Sequence, residues 1–299
     1  MKILVSRSTN PYFHLAVEDW LLRQYDGAWP IWFLYQNHPC VVVGRFQNPW
    51  KECDLGWLHE RALPLVRRPS GGGTVWHDLG NVNFCCVRPL KGFLKDQALQ
   101  ELQTRLQSFG VTVEINARHD LVVRQPDGST RKVSGSAYKQ TKDRALHHGT
   151  LLLNAGLDDL ERSLNSPARL TSTKSIASVR SQVMNLGELN PALTPEAWLQ
   201  AWQATEAVSE GDPRFTVAPW QEWQWQMGET PLFEWEFTVD GHQLKLSSHK
   251  GMVRALQWSQ LGVETEDLNL PLQTATFEQI LRERGLPFNA SAWLAVLGQ

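Results

Sequence analysis

Residues 67–81, RRPSGGGTVWHDLGN, bring two arginines, three successive glycines, an apolar pair and a His-Asp step into one short stretch. Consecutive glycines let a backbone approach a ligand with its N–H groups bare, and such a nest suits phosphate or carboxylate oxygen. A neighbouring guanidinium would add charge-assisted donors. Successive side chains on a strand face opposite sides, so only one of Arg67 and Arg68 is expected to point inward. No Gly-Lys-Ser/Thr follows, so this is not a Walker loop, and it is not GxGxxG either. Taken alone, the glycines fit a tight structural turn as well as a nest.

Lys132 is the second cation of interest. It lies on a strand returning from a tight turn, and the small residues SGSA at 134–137 follow it. Small neighbours leave room for a ligand beside the ammonium, and a compact ammonium can hold a phosphate and a carboxylate oxygen together. The plain alternative is an exposed strand lysine. His77-Asp78 lacks a third ligand at metal spacing, so the pair is expected to pin the loop by hydrogen bonds. Of His147 and His148, at most one can face the site. No G-x-S-x-G element is present, which leaves serine-hydrolase chemistry without an anchor.

The elements that must position these residues alternate along the chain. Strands are expected at 3–6, 30–37, 40–45, 62–68, 81–89, 111–115, 121–125, 129–135 and 147–154. Helices are expected after Asn10-Pro11, over 95–110 with Gly110 as the residue past its end, over 157–164, and after Thr194-Pro195. From about 209 the chain turns rich in tryptophan and turn residues, read here as a linker. An alternating stretch with turns at Asp240-Gly241 and Lys250-Gly251 and a helix near 274–285 then make a small α+β unit.

Bulk composition narrows the function classes. The chain has 299 residues, 42% hydrophobic and 20% charged, enough for a sizeable core. A net charge of −2 argues against holding nucleic acid through many phosphates. No apolar run approaches the ~20 residues of a membrane helix. The opening residues read as a first strand rather than a signal peptide. Cys40, Cys53, Cys85 and Cys86 form no CxxC pair and suit free thiols in a reduced, cytoplasmic protein.

Four segments together resemble lipoate–protein ligase A. They are RRPSGGGTVWHDLGNVNF from 67, RHDLVVR at 118–124, RKVSGSAYKQTKDRALHHGTLLLNAGLDDL at 131–160 and GRFQNPWKEC at 44–53. The resemblance runs from residue 1 to about 190 and continues weakly through EWQWQMGETPLF. It implies an α/β fold of mixed sheets, with a biotin/lipoate ligase-like catalytic domain over 1–216 and a small α+β accessory domain over 222–299. It implies ATP-dependent activation of free lipoate or octanoate to the acyl-AMP. Transfer to a lysine of lipoyl-domain proteins follows, namely 2-oxoacid dehydrogenase E2 subunits and the glycine cleavage H protein.

By position, the resemblance assigns Lys132 to catalysis. It assigns Arg68, Gly71, Gly72, Gly73, Thr74, Val75, Trp76, Asn83, Asp120, Gly135, Ala137 and His148 to the acyl-adenylate. ATP, Mg²⁺ and lipoate are the expected ligands, with Asp120 a candidate Mg²⁺ ligand and a candidate aid to deprotonating the acceptor lysine. Trp76 departs from the family's usual phenylalanine but keeps a flat apolar surface. A monomer is expected, and the accessory domain is expected to close over ATP as a lid. Three other readings share the motifs: a lipoyltransferase using pre-formed lipoyl-AMP, an octanoyltransferase working through a cysteine, and a non-catalytic lipoate-binding module.

Overall fold

A computed structural model describes residues 1–298, the side chain of Asp267 excepted. Its largest sheet has six strands in the order β10–β11–β6–β2–β1–β13. These are Ser136–Gln140, Arg144–Leu152, Asn81–Pro89, Ile31–Tyr35, Lys2–Ser6 and Glu206–Val208. The pairings β1–β2 and β1–β13 are parallel and the others antiparallel. Ile31–Tyr35 is buried along its whole length, as expected of a strand covered on both faces.

Helix α1 (Pro11–Arg23) covers one face. Its cap is the one the sequence suggested, with the Asn10 side chain accepting from the Tyr12 and Phe13 amides and Pro11 at the first position. Helix α4 (Gln97–Ser108) covers the other face through Leu99, Leu102 and Leu106. Gly110 follows it with φ +72°, the left-handed geometry that ends a helix.

Two three-stranded sheets flank this layer. One has the order β4–β3–β5, made of Leu65–Arg67, Cys40–Val43 and Val75–His77. The other is β7–β8–β9, made of Glu114–Ile115, Leu121–Arg124 and Thr130–Ser134. The strands on either side of Asn37-His38-Pro39 therefore enter different sheets. Two short helices that composition did not reveal, α2 (Pro49–Glu52) and α3 (Leu55–Glu60), follow β3. Each has an acceptor cap, Asn48 and Asp54.

The last sheet runs β12–β14–β15–β16–β17, made of Leu170–Thr173, Phe233–Val239, His242–His249, Met252–Trp258 and Val263–Pro271. Its outermost strand β12 is supplied from well before residue 216. Helices Thr274–Arg282 and Ala290–Leu297 pack against it.

One apolar cluster contains Val41, Val43, Trp50, Leu55, Trp57 and Trp76 together with Phe233, Trp235, Leu246, Trp258, Phe277 and Trp293. The approach is tight: a Cβ on Gly56 would lie 2.4 Å from the Ala295 carbonyl oxygen. Segment 222–298 is thus welded to β3, β5, α2 and α3 through a common core. The expected lid would have to tear that core open to swing.

The stretch read as a linker carries the second tie. Arg67 is fully buried. Its guanidinium donates to the carbonyls of Gln226 at 2.8 Å, Gly44 at 3.1 Å, Arg45 at 2.8 Å and Gln47 at 2.9 Å, and to Thr230 Oγ1 at 3.0 Å. Trp225 Nε1 donates back to the Arg67 carbonyl at 2.7 Å. Arg67→Met would fill the volume and strand these acceptors, so stability should fall by about 3 kcal/mol or more. The denaturant midpoint with an unchanged m-value measures this, and a loss below about 1 kcal/mol would mean the tie holds little.

Candidate functional site

Arg68 faces the opposite way from Arg67, as strand alternation requires. Its Nη2 donates to the carbonyls of Gly71 at 2.7 Å and Gly73 at 2.6 Å, Nη1 to Val42 at 3.0 Å, and Nε to Ser70 Oγ at 3.1 Å. The glycine loop is therefore wrapped around this one guanidinium. Gly72 sits at φ +87°, and a Cβ there would lie 3.0 Å from Arg68 Nη2. Burial draws the Arg68 pKa down to about 10, opposed by Glu18, so the group stays cationic at neutral pH.

Two cavities open beside this loop, of about 360 Å³ and 660 Å³. Arg68, Gly72, Gly73, Thr74, Val75, Asn83, Asp120, Lys132, Gly135, Ala137 and His148 all line the first. Trp76 lines the second, with Thr74, Val75, Lys132 and Gly135 common to both. Gly71 lines neither, and its carbonyl is spent on Arg68. Trp76 turns away from the first cavity because it alternates with Val75 and His77 on β5. It packs in the apolar core, and its Nε1 donates to Asp78 at 3.0 Å.

Lys132 stands where the cavities meet. Its ammonium contacts Asp120 Oδ1 at 2.8 Å, and Arg118 contacts Asp120 Oδ2 at 3.2 Å. The small residues beside the lysine do what their size suggested. A Cβ on Gly135 would come within 3.3 Å of Lys132 Cε and Nζ. Asp120 is the acidic residue lining the first cavity among those described, and both its oxygens already face cations. No cluster of three or more His, Cys, Asp or Glu side chains suited to a metal occurs among the described residues. A magnesium ion here would depend on the phosphate oxygens of a nucleotide, as that ion commonly does.

His148 lines the first cavity while His147 is buried against Phe84 and Tyr138. His148 Nδ1 meets Glu18 Oε2 at 2.7 Å and its Nε2 meets Ser70 Oγ at 2.7 Å. The Tyr35 hydroxyl donates to Glu18 Oε1 at 2.9 Å. Asp78 pins its turn as expected, accepting from the amides of Gly80 at 2.9 Å and Asn81 at 3.1 Å and from Gly156 N at 2.7 Å. His77 instead lines the first cavity. All four cysteines are buried, and burial raises every thiol above its ordinary pKa.

The sequence reading missed residues 174–183, a strap bordering both cavities. Ser178 Oγ accepts from Gln47 Nε2 and the Thr74 amide, both at 2.9 Å, and Glu52 receives the Ser178 amide. At the far end the Lys132 amide donates to the Gln182 carbonyl at 2.8 Å. Ile176 and Val179 line the first cavity yet are 53% and 70% exposed. Isolated apolar residues among serines have no period, so only tertiary context reveals the strap.

The lipoyl protein ligase A/B catalytic domain family matches residues 10–205. The chain belongs to that family. Among solved structures it resembles P. falciparum LipL1 in complex with lipoate, at 23% identity and TM-score 0.64, covering 94% of each chain. It also resembles a putative lipoate protein ligase from T. acidophilum with bound lipoic acid, at 23% identity and TM-score 0.53, covering 76% of this chain and 98% of that one. A lipoate-protein ligase A bound with ATP matches with the same figures. These likenesses show the fold to be that of the lipoate ligases, with mixed sheets and an added C-terminal unit. No helix among the described residues is long and apolar enough to cross a membrane.

Ser178→Ala would remove the acceptor that two donors share. Amide exchange across 174–183 should speed up several-fold while global stability changes by about 1–2 kcal/mol at most. Unchanged exchange in that segment would show that the strap is held by other contacts.

Proposed function

We propose that this chain is a full lipoate–protein ligase, joining free lipoate to a lysine of a lipoyl-domain protein at the expense of ATP. The observation that carries this reading is Lys132, whose ammonium borders two adjoining cavities beside a glycine loop. In the first step a lipoate carboxylate oxygen attacks the α-phosphorus of ATP, the bond to the β-phosphate bridge oxygen breaks, and pyrophosphate leaves. In the second, the acceptor amine attacks the lipoyl carbonyl, the carbonyl–O–phosphate bond breaks, the amine gives up a proton, and AMP leaves. Mg²⁺, when bound with the nucleotide, would offset phosphate charge.

The chain's own residues then have distinct tasks. Lys132 holds the α-phosphate and carboxylate oxygens together and stabilises the charge that builds there. Asp120, paired to both Lys132 and Arg118, aims the ammonium. The bare amides of Gly72 and Gly73 face the anion, held in place by Arg68. Leu15, Val42, Val66 and Val75 supply an apolar wall for the acyl chain, worth about 0.8 kcal/mol per buried CH₂, and keep water from the anhydride. Cysteines with raised pKa values make poor nucleophiles, which favours adenylate chemistry over a thioester route. We assign catalysis to residues 1–216 and a supporting role to 222–299, since every described cavity-lining residue precedes 184. ATP and lipoate are its small-molecule substrates, and the acceptor is its protein partner.

Purified protein should release pyrophosphate with ATP and lipoate alone, and should shift the mass of a lipoyl domain only when both are present. Pyrophosphate without acceptor separates this reading from transfer of pre-formed lipoyl-AMP and from a binding module. Lys132→Ala should keep the fold and lower pyrophosphate release about 10²- to 10³-fold, roughly what a lost transition-state charge contact costs. Lys132→Arg should fail too, because a planar fork does not replace a compact ammonium. Near wild-type release by either variant would overturn the assignment.

A further inference from the structure

Lys132 shares the junction of the two cavities with a neutral group from another sheet. Thr150, on β11, lines both cavities as Lys132 does. His148, Thr150 and Leu152 share a face of that strand. His148 lines the first cavity and Leu152 the second, so the threonine falls between them.

The Thr150 hydroxyl is fixed by Gly135. The Gly135 amide donates to Thr150 Oγ1 at 3.0 Å, and the Thr150 amide donates to the Gly135 carbonyl at 3.0 Å. The first of these bonds uses an acceptor lone pair of the hydroxyl and leaves its proton to donate. Among the described residues no acceptor takes that proton. An amide donating into a hydroxyl polarises it and strengthens the bond the hydroxyl donates onward. The glycine marks the place within reach. A Cβ on Gly135 would lie 3.3 Å from Lys132 Nζ and 3.7 Å from Thr150 Oγ1. Gly135 itself lines both cavities. An ammonium and a free O–H donor therefore flank one open point where a ligand atom fits.

In the lipoate-ligase reading two kinds of ligand oxygen meet at this junction, those of the α-phosphate and that of the acyl carbonyl. The phosphate has the glycine-loop amides as well as Lys132. The carbonyl has only its share of the ammonium. Its charge is small in the adenylate and full in the tetrahedral intermediate of transfer. A donor aimed at that oxygen binds the transition state better than the ground state, and this difference is what accelerates a step.

We propose that the Thr150 hydroxyl completes an oxyanion hole with Lys132 for the transfer step, donating to the acyl carbonyl oxygen. The acceptor amine attacks the acyl carbon, and the C=O π pair moves onto that oxygen. The pair then returns, the bond from carbon to the AMP oxygen breaks, AMP leaves with the bonding pair, and the extra proton on nitrogen passes to water. Thr150 keeps its own proton throughout. In the activation step the carboxylate loses charge as it attacks, so the same bond brings no such gain there. The inference rests on the lipoate-ligase reading above and adds a catalytic residue to it.

The test compares single-turnover rates of the full-length protein, Thr150→Val and Thr150→Ser in two reactions. One is adenylate formation from ATP and lipoate; the other is transfer from synthetic lipoyl-AMP to a lipoyl domain. Valine keeps the shape and removes the hydroxyl, while serine keeps the hydroxyl. Thr150→Val should slow transfer about 10²-fold, the lower end of what one oxyanion-hole donor is worth, and should slow activation far less. Thr150→Ser should recover most of the transfer rate. Valine also leaves the Gly135 amide without its acceptor, but a purely structural disturbance beside Lys132 would slow both steps alike.

Equal slowing of both steps in Thr150→Val, transfer at the wild-type rate in that variant, or transfer as slow in Thr150→Ser would each overturn the proposal. Should Thr150→Val fail to fold, Thr150→Ala goes through the same comparison. If wild type neither forms the adenylate nor transfers from it, the ligase reading fails and this inference with it. If wild type only transfers, the ligase reading yields to a transferase, and the valine and serine transfer rates still judge Thr150. If wild type does both and the two steps fall together in Thr150→Val, only the role of Thr150 is lost.

Discussion

Two adjacent arginines at the end of one strand must point to opposite faces, and the molecule is organised around that constraint. Arg67 turns into the interior, collecting the carbonyls after β3 and the 226–230 segment. Arg68 turns to the other side and gathers the glycine loop. A one-residue slip of β4 would exchange the two faces. It would leave the C-terminal contact unpaired and the loop without its centre. Both guanidiniums are kept charged in buried surroundings by carbonyl oxygens rather than by carboxylates in direct contact. No carboxylate bonds Arg68 directly, and Glu18 acts on it only through space.

The site itself is assembled from pieces of three sheets. The glycine loop and His77 come from β4–β3–β5, Lys132 from β7–β8–β9, and Asn83, Ala137 and His148 from the large sheet. None of these sheets could form the cavity alone. The Glu18–His148–Ser70 chain of hydrogen bonds crosses from helix α1 through β11 to the loop. Helix α1, which also brings Leu15 to the first cavity, is tied to the glycine loop through this chain.

Much of this was legible in the sequence where a residue type has only one sensible use. Asn10-Pro11 and Gly110 marked helix ends, small residues after Lys132 marked room, and Asp78 was rightly read as a turn pin. What stayed hidden was decided by distant contacts. The strands on either side of the turn at Asn37-His38-Pro39 separate into two sheets. The tryptophans near 223–226 read as linker because nothing local shows that Arg67 waits for the Gln226 carbonyl. Asn48 and Asp54 cap helices that span only four and six residues, which leave no period to detect. His77 and Asp78 were weighed as a pair, although alternation sends them to different tasks. The strap carries no pattern at all.

The four buried thiols bear on a matter of redox chemistry. Cys40 is paired in register with His77 on the neighbouring strand and shares an apolar cluster with Leu15, Val42 and Val66. A five-membered cyclic disulfide is strained and opens readily when a thiolate attacks it. Every cysteine in this chain is held as the protonated thiol, inside the core and away from the cavity surface. If the proposed function holds, a bound ring of that kind would meet no thiolate of this chain.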